Sequence, residues 1–153
     1  MSIVYREDNR TITINTANTT YQLRVTPHDF LQHTYYGSRI EDEDMSYLFL
    51  HYDRACSGNP DEVYPSRKIS LDTMSQEYPG YGVGDFRVHP LALRNSDGSR
   101  AVDFRYVGHE VRKGKYKING LPSSYDDSDN AETLVVTIAD KVTKLTVELL
   151  YGV

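Results

Sequence analysis

Four carboxylates fall along one stretch of this sequence: Asp53, Asp72, Glu77 and Asp85. Two carboxyl groups held about 5 Å apart can cleave a glycosidic bond with retention, one as nucleophile and the other as acid and then base. These four sit in a segment, from about residue 53 to 85, that is rich in Pro, Gly and Tyr and has weak periodicity. Aspartate there is equally a residue that closes turns. A sequence does not display which side chains converge, so the four carboxylates alone name no activity.

Other patterns are weaker still. Gly80-Tyr81-Gly82-Val83-Gly84 has the look of a phosphate-binding loop, which works by presenting backbone N–H groups at a helix N-terminus. Here Pro90 follows His89 and disfavours helix at that residue, so a tight aromatic turn packed closely through its glycines is the better reading. Asp126, Asp127, Asp129 and Glu132 lack the spacing and the turn glycine of a calcium loop and read as a solvated, acidic surface. His28, His33, His51, His89 and His109 show no metal-ligand spacing, and no cysteine accompanies Cys56 to complete a zinc site. Cys56 near His51 has no local signature of a nucleophile and reads as an idle thiol.

Stepping outward, the elements that must position these residues are strands. Thirteen Tyr, 4 Phe and no Trp favour half-buried β structure. Thr11–Asn15 and Tyr21–Val25 alternate with period two, the second as a half-buried strand with Gln22 and Arg24 facing out; residues 30–36 read as a third. Thr133–Ala139 and Leu145–Tyr151 predict a hairpin across the polar link Lys141–Lys144. Residues 88–94 and 100–113 predict two more strands around the turn Asn95-Ser96-Asp97-Gly98. A short helix is expected near Asp42–Leu50, and Ser123–Asn130 reads as a surface loop. Eight to ten strands in antiparallel sheets point to an all-β sandwich. The irregular segment is long for a structureless loop in one domain, which marks it as functional or poorly ordered.

Bulk properties narrow the class of function. With 39% hydrophobic and 25% charged residues, the 153-residue chain can bury a core. A net charge of −5 without a Lys/Arg cluster argues against nucleic-acid binding. No run is long and apolar enough to span a bilayer, and Met1–Asp8 has no basic region leading into an apolar one. A lone Cys56 fits a reducing cytoplasm.

Ordered short motifs then carry a resemblance. Asp53-Arg54-Ala55, Ser57-Gly58-Asn59-Pro60-Asp61, Ser70-Leu71-Asp72-Thr73 and Gln76-Glu77-Tyr78-Pro79 lead into Tyr81-Gly82, Gly84-Asp85-Phe86-Arg87 and Pro90. Asp97-Gly98-Ser99, Asp103-Phe104-Arg105-Tyr106, Lys113-Gly114-Lys115, Gly120-Leu121-Pro122 with Tyr125, and Ala131-Glu132-Thr133-Leu134 follow. From about Thr20 to Val153 this set resembles the N-terminal region of the bacterial α-galactosidases of glycoside hydrolase family 36, enzymes of melibiose and raffinose breakdown.

The resemblance implies the first part of a β-supersandwich N-terminal domain, followed in the family by a (β/α)8 barrel and a smaller β domain. It implies retaining hydrolysis by two aspartates at the C-terminal face of the barrel, with no cofactor. The nucleophile lies in a Lys-Trp-Asp motif, and a chain without Trp does not contain it. On this reading residues 1–153 are a supersandwich segment, inactive alone, of a cytoplasmic homo-oligomeric enzyme, a tetramer. In such tetramers an N-terminal loop presents an aspartate and an arginine to a neighbouring subunit's galactosyl site. The matching residues are Asp53 and Arg67, with Arg54 as the alternative arginine. Asp85 and Arg87 are expected to form a buried ion pair at the loop base. Two rival readings are a self-sufficient carbohydrate-binding sandwich using tyrosines such as Tyr78 and Tyr81, and an assembly module that pairs edge strands.

Overall fold

Alternating β-branched and aromatic residues form strands because such side chains pack well on a pleated surface. In this protein they form seven strands across residues 2–49, 51, 53, 58–123 and 130–153, which the computed structural model describes. Strands β1 (Ser2–Arg6), β2 (Thr11–Asn15), β3 (Thr19–Val25) and β4 (Leu31–Ser38) make an antiparallel meander in the order β1-β2-β3-β4. Strands β5 (Phe104–Lys113), β6 (Glu132–Asp140) and β7 (Thr146–Gly152) make a second antiparallel sheet, β5-β6-β7.

Ile12 pairs with Leu23 across β2 and β3, and Val136 with Leu149 across β6 and β7. Ile12, Leu23, Val25 and Leu31 of the first sheet join Phe104, Leu134, Val136 and Ile138 of the second in one buried cluster. The architecture is therefore all-β and two-layered, as expected. Among the described residues no helix is long and apolar enough to cross a membrane.

β2 is buried at all five positions, and Gln22 is fully buried rather than facing solvent. The reason is the segment after β4, which lies over the polar face of the first sheet. Gln22 Nε2 donates to Thr13 Oγ1 (3.0 Å) and to the Glu43 carbonyl (2.7 Å), while its Oε1 accepts from Met45 N–H (3.0 Å). Asn15 Nδ2 donates to Asp42 (3.2 Å), and Ile40 N–H donates to Thr20 Oγ1 (3.1 Å). A bulge in the β3–β4 pairing aims the Thr34 hydroxyl at the Gln22 carbonyl (2.8 Å). Buried amides are tolerated when each donor and acceptor is satisfied, and this one is.

Three expectations need correction. Residues 88–94 form no strand: Pro90 lacks an N–H for a ladder, and Leu91 and Leu93 instead pack individually on the core. The strand nearest that turn begins only at Phe104 and pairs with β6. The expected helix near Asp42–Leu50 is a single 3₁₀ turn at Met45–Leu48, started by Asp44 accepting from Ser46 N–H. The strands of the described residues accordingly number seven, below the eight to ten expected.

Candidate functional site

The described residues between β4 and β5 form no strand of their own, so their backbone groups must find partners elsewhere. Some do so by lining the edge of β4. His33 N–H donates to the Ser75 carbonyl (2.9 Å) and Glu77 N–H to the Leu31 carbonyl (3.0 Å), with Gln32 and Gln76 bridged between them. Residues 71–87 are gathered further by one ion pair. Arg87 donates from Nε and Nη2 to the two oxygens of Asp85 (2.9 and 2.6 Å) and from Nη2 to the carbonyls of Leu71 (2.9 Å) and Met74 (3.0 Å). Gln76 Nε2 adds a bond to Asp85 (3.0 Å), whose residue is 2% exposed. Burial pushes the Asp85 carboxyl up, but the hydrogen bonds from Arg87 outweigh it and hold the group below its ordinary value. The expected buried pair at the loop base is thus present, with Asp85 buried and Arg87 half-exposed.

The glycine run is a close-packing turn with no helix after it. A Cβ on Gly80 would lie 2.2 Å from the Val102 carbonyl oxygen. Gly84, at φ +81°, brings its backbone against Gly58, where a Cβ would lie 2.8 Å from the Gly58 Cα.

Glu62, in the 3₁₀ turn Asp61–Val63, accepts from Lys141 and from Arg105 Nη2 (3.4 Å). The Lys141 bond, aided by a backbone bond and the Arg105 charge, holds its carboxyl down to about 2. Arg105 also clamps Asp103 (2.6 Å) and the His28 carbonyl (2.8 Å), and its guanidinium lies 3.8 Å from the centre of the Phe30 ring. These contacts tie the irregular segment to both sheets.

Glu77 is a further anchor. Its carboxylate accepts from Tyr21 of β3 (2.6 Å) and Tyr151 of β7 (2.8 Å), joining the two sheets. Burial, then the contact with Glu77, raises both phenols above their ordinary range. His33 Nδ1 stands 3.7 Å away, too far for a hydrogen bond. Sequence reasoning placed Glu77 among candidate acids without seeing this role. The only signal for it was Tyr21 and Tyr151 on core-facing strands with hydroxyls to satisfy.

Three of the four candidate carboxylates are therefore engaged within the fold: Asp85 by Arg87, Glu77 by two phenols, and Asp72 by the Ser70 hydroxyl. Asp53 and Arg67 differ. Both are exposed, and neither pairs with the other or with another described residue. Their limbs do meet: His51 and Lys68, two residues before Asp53 and one after Arg67, line one small pocket of about 40 Å³. Arg54, Cys56 and the acidic run Asp126, Asp127 and Asp129 lie outside the described residues. Among the described residues no group of His, Cys, Asp and Glu could hold a metal ion.

Comparison with known proteins extends this picture. Residues 29–153 match the Glycosyl hydrolase family 36 N-terminal domain. The bifunctional alpha-galactosidase/sucrose kinase AgaSK of Mediterraneibacter gnavus is 40% identical over 153 residues, covering 100% of this chain and 16% of that protein. Alpha-galactosidase AgaA of Geobacillus stearothermophilus is 37% identical over 153 residues, covering 99% of this chain and 21% of that one. Among solved structures, the galactosidase domain of AgaSK superposes with a TM-score of 0.92 at 39% identity, over 99% of this chain and 21% of that one. The GH36 alpha-galactosidase AgaB of Geobacillus stearothermophilus gives 0.86 at 35%, over 99% and 20%. The chain spans between 16% and 21% of the length of these two curated relatives.

Proposed function

This chain belongs to the Glycosyl hydrolase family 36 N-terminal domain family, and from that membership we propose that residues 1–153 are the non-catalytic N-terminal segment of a retaining α-galactosidase. The enzyme would remove terminal α-linked galactose from melibiose- and raffinose-type oligosaccharides, with both catalytic carboxylates in a barrel that these residues do not include. The segment supports assembly of a homo-oligomer, a tetramer, and Asp53 and Arg67 shape the substrate pocket of a neighbouring subunit.

The observation that carries this reading is the match of the whole chain to α-galactosidases at 40% and 37% identity. Two features of the irregular segment support the finer part. Its anchored carboxylates serve the fold, whereas Asp53 and Arg67 stand exposed on limbs that lie side by side. A carboxylate and a guanidinium each hydrogen-bond sugar hydroxyls, and charged partners make such bonds strong and discriminating. The two-carboxylate reaction needs no cofactor.

The test is kinetic. In the complete enzyme, Asp53→Ala and Arg67→Ala should each lower kcat/KM for melibiose at least about tenfold, the loss of one charge-assisted hydrogen bond. Unchanged kinetics in both variants would overturn the role of this pair.

A further inference from the structure

Residues 94–100 fold back on themselves through the turn at Asn95-Ser96-Asp97-Gly98. Asn95 N–H donates to the Ser99 carbonyl (2.8 Å) and Gly98 N–H to the Asn95 carbonyl (2.9 Å), with Gly98 at φ +86°. The Asn95 side chain closes the turn further, donating to Ser99 Oγ (3.0 Å) and the Ala101 carbonyl (3.2 Å). Asp97, the one acidic residue of the turn, accepts from Ser99 N–H (2.9 Å) and is occupied there.

The turn brings its two flanking residues, Arg94 and Arg100, to one cleft of about 490 Å³, whose other walls are Tyr81, His89, Ala92 and Leu93. Among the described residues no carboxylate lines it. Neither guanidinium makes an ion pair or hydrogen bond with a described residue, unlike Arg10, Arg87, Arg105 and Arg112, which are all paired with acids. His89 Nδ1 is buried without a partner as well. Tyr81 is braced from two sides, edge-on against Phe86 (5.6 Å) and tilted against His89 (4.9 Å).

From this arrangement we infer that the cleft between the Asn95–Ser99 turn and Tyr81 binds a small phosphate- or carboxylate-bearing ligand. The two guanidiniums take its anionic oxygens through paired N–H···O bonds, the geometry for which a planar fork is suited. Tyr81 and Leu93 cover its less polar or sugar face. Two unpaired like charges on one cleft repel, and an anion between them removes that repulsion. The volume lies within the usual range for small-molecule sites. This site is separate from the Asp53 and Arg67 limbs and does not depend on their proposed role.

The experiment is a titration of the isotope-labelled 153-residue chain at constant ionic strength, following backbone amides by nuclear magnetic resonance. One arm uses inorganic phosphate and the other glucose 6-phosphate. Saturable shifts confined to amides around 81–82 and 92–101 are expected, tighter for the sugar phosphate, whose ring adds contact with Tyr81. The double variant R94Q/R100Q, altering two exposed side chains, should retain the dispersed spectrum of the folded chain. It should weaken binding at least about tenfold, while the exposed-cation control Lys117→Gln binds as before. Linear shifts that never saturate in either arm, or undiminished binding by R94Q/R100Q, would overturn the inference. Equal affinity for the two ligands would overturn the part assigned to Tyr81.

Discussion

Leu134 and Asp85 are both buried, and for different reasons. Leu134 is inside because β6 is the apolar, β-branched central strand of its sheet, pairs with β5 and β7, and packs Leu134, Val136 and Ile138 onto the first sheet. Asp85 is inside because Arg87 and Gln76 reach it and Arg87 continues to the carbonyls of Leu71 and Met74. The sheets thus rest on backbone ladders and apolar contact, while the segment between β4 and β5 rests on side chains bonding to distant backbone. The ladders form between backbones whatever the non-proline side chain, so the sheets depend on side chains mainly through the buried core. A segment organised by single side chains depends on each one, and it can hold nearby residues such as Asp53 and Arg67 at the surface.

The largest expected effect comes from attacking the sheets. Leu134→Ala removes a fully buried side chain at the centre of the shared cluster and should cost about 2–5 kcal/mol in denaturant unfolding. A loss under about 1 kcal/mol would mean that the two sheets do not share a close-packed core.

Asp85→Ala should cost less, about 2–3 kcal/mol, below the value for fully buried pairs because the Arg87 side chain is 46% exposed. Its distinguishing outcome is regional: amides of residues 71–87 should exchange faster with solvent while those of β6 stay protected. Uniform loss of protection would erase the contrast between the two regions. Acid sharpens it. Asp85 and Glu62 both have folded values below their unfolded ones, so their contribution is fully present above about pH 5 and is lost as pH falls through the folded values. For Glu62 that window runs down to about 2. Stability should therefore drop as pH falls below about 5, and Asp85→Ala should show a shallower drop than the unaltered chain.

The smallest effect on stability is expected at the surface. Asp53→Ala and Arg67→Ala should each change unfolding free energy by less than about 0.5 kcal/mol, since neither side chain has a partner among the described residues. A larger loss would make them part of the scaffold and remove the reason to assign them to a substrate.

The same contrast governs what could be read in advance. β2, β3, β4 and the β6–β7 hairpin were legible because alternation is a local property, and the turn at Asn95–Gly98 because its residues suit one backbone geometry. The Asp85–Arg87 pair was anticipated together with the family resemblance, in whose Gly84-Asp85-Phe86-Arg87 motif it lies. β1 was not read as a strand, although Ser2–Arg6 pairs along all of Thr11–Asn15. Residues 88–94 were read as a strand because Val88, Leu91 and Leu93 mimic a pattern that Pro90 prevents from pairing.

The sequence by itself determined the fold class, most of the strands and, through the order of its short motifs, the family. Those depend on neighbours along the chain: side-chain alternation, turn chemistry and motif order. Only the tertiary structure decided that Gln22 is a buried hub, that Glu77 joins two sheets through Tyr21 and Tyr151, and that Arg94 and Arg100 share a cleft that no described carboxylate lines. The physical reason is range: Glu77 and Tyr21 meet across 56 positions of sequence. Whether a polar side chain is satisfied or left open depends on partners that only the folded chain brings within hydrogen-bond distance.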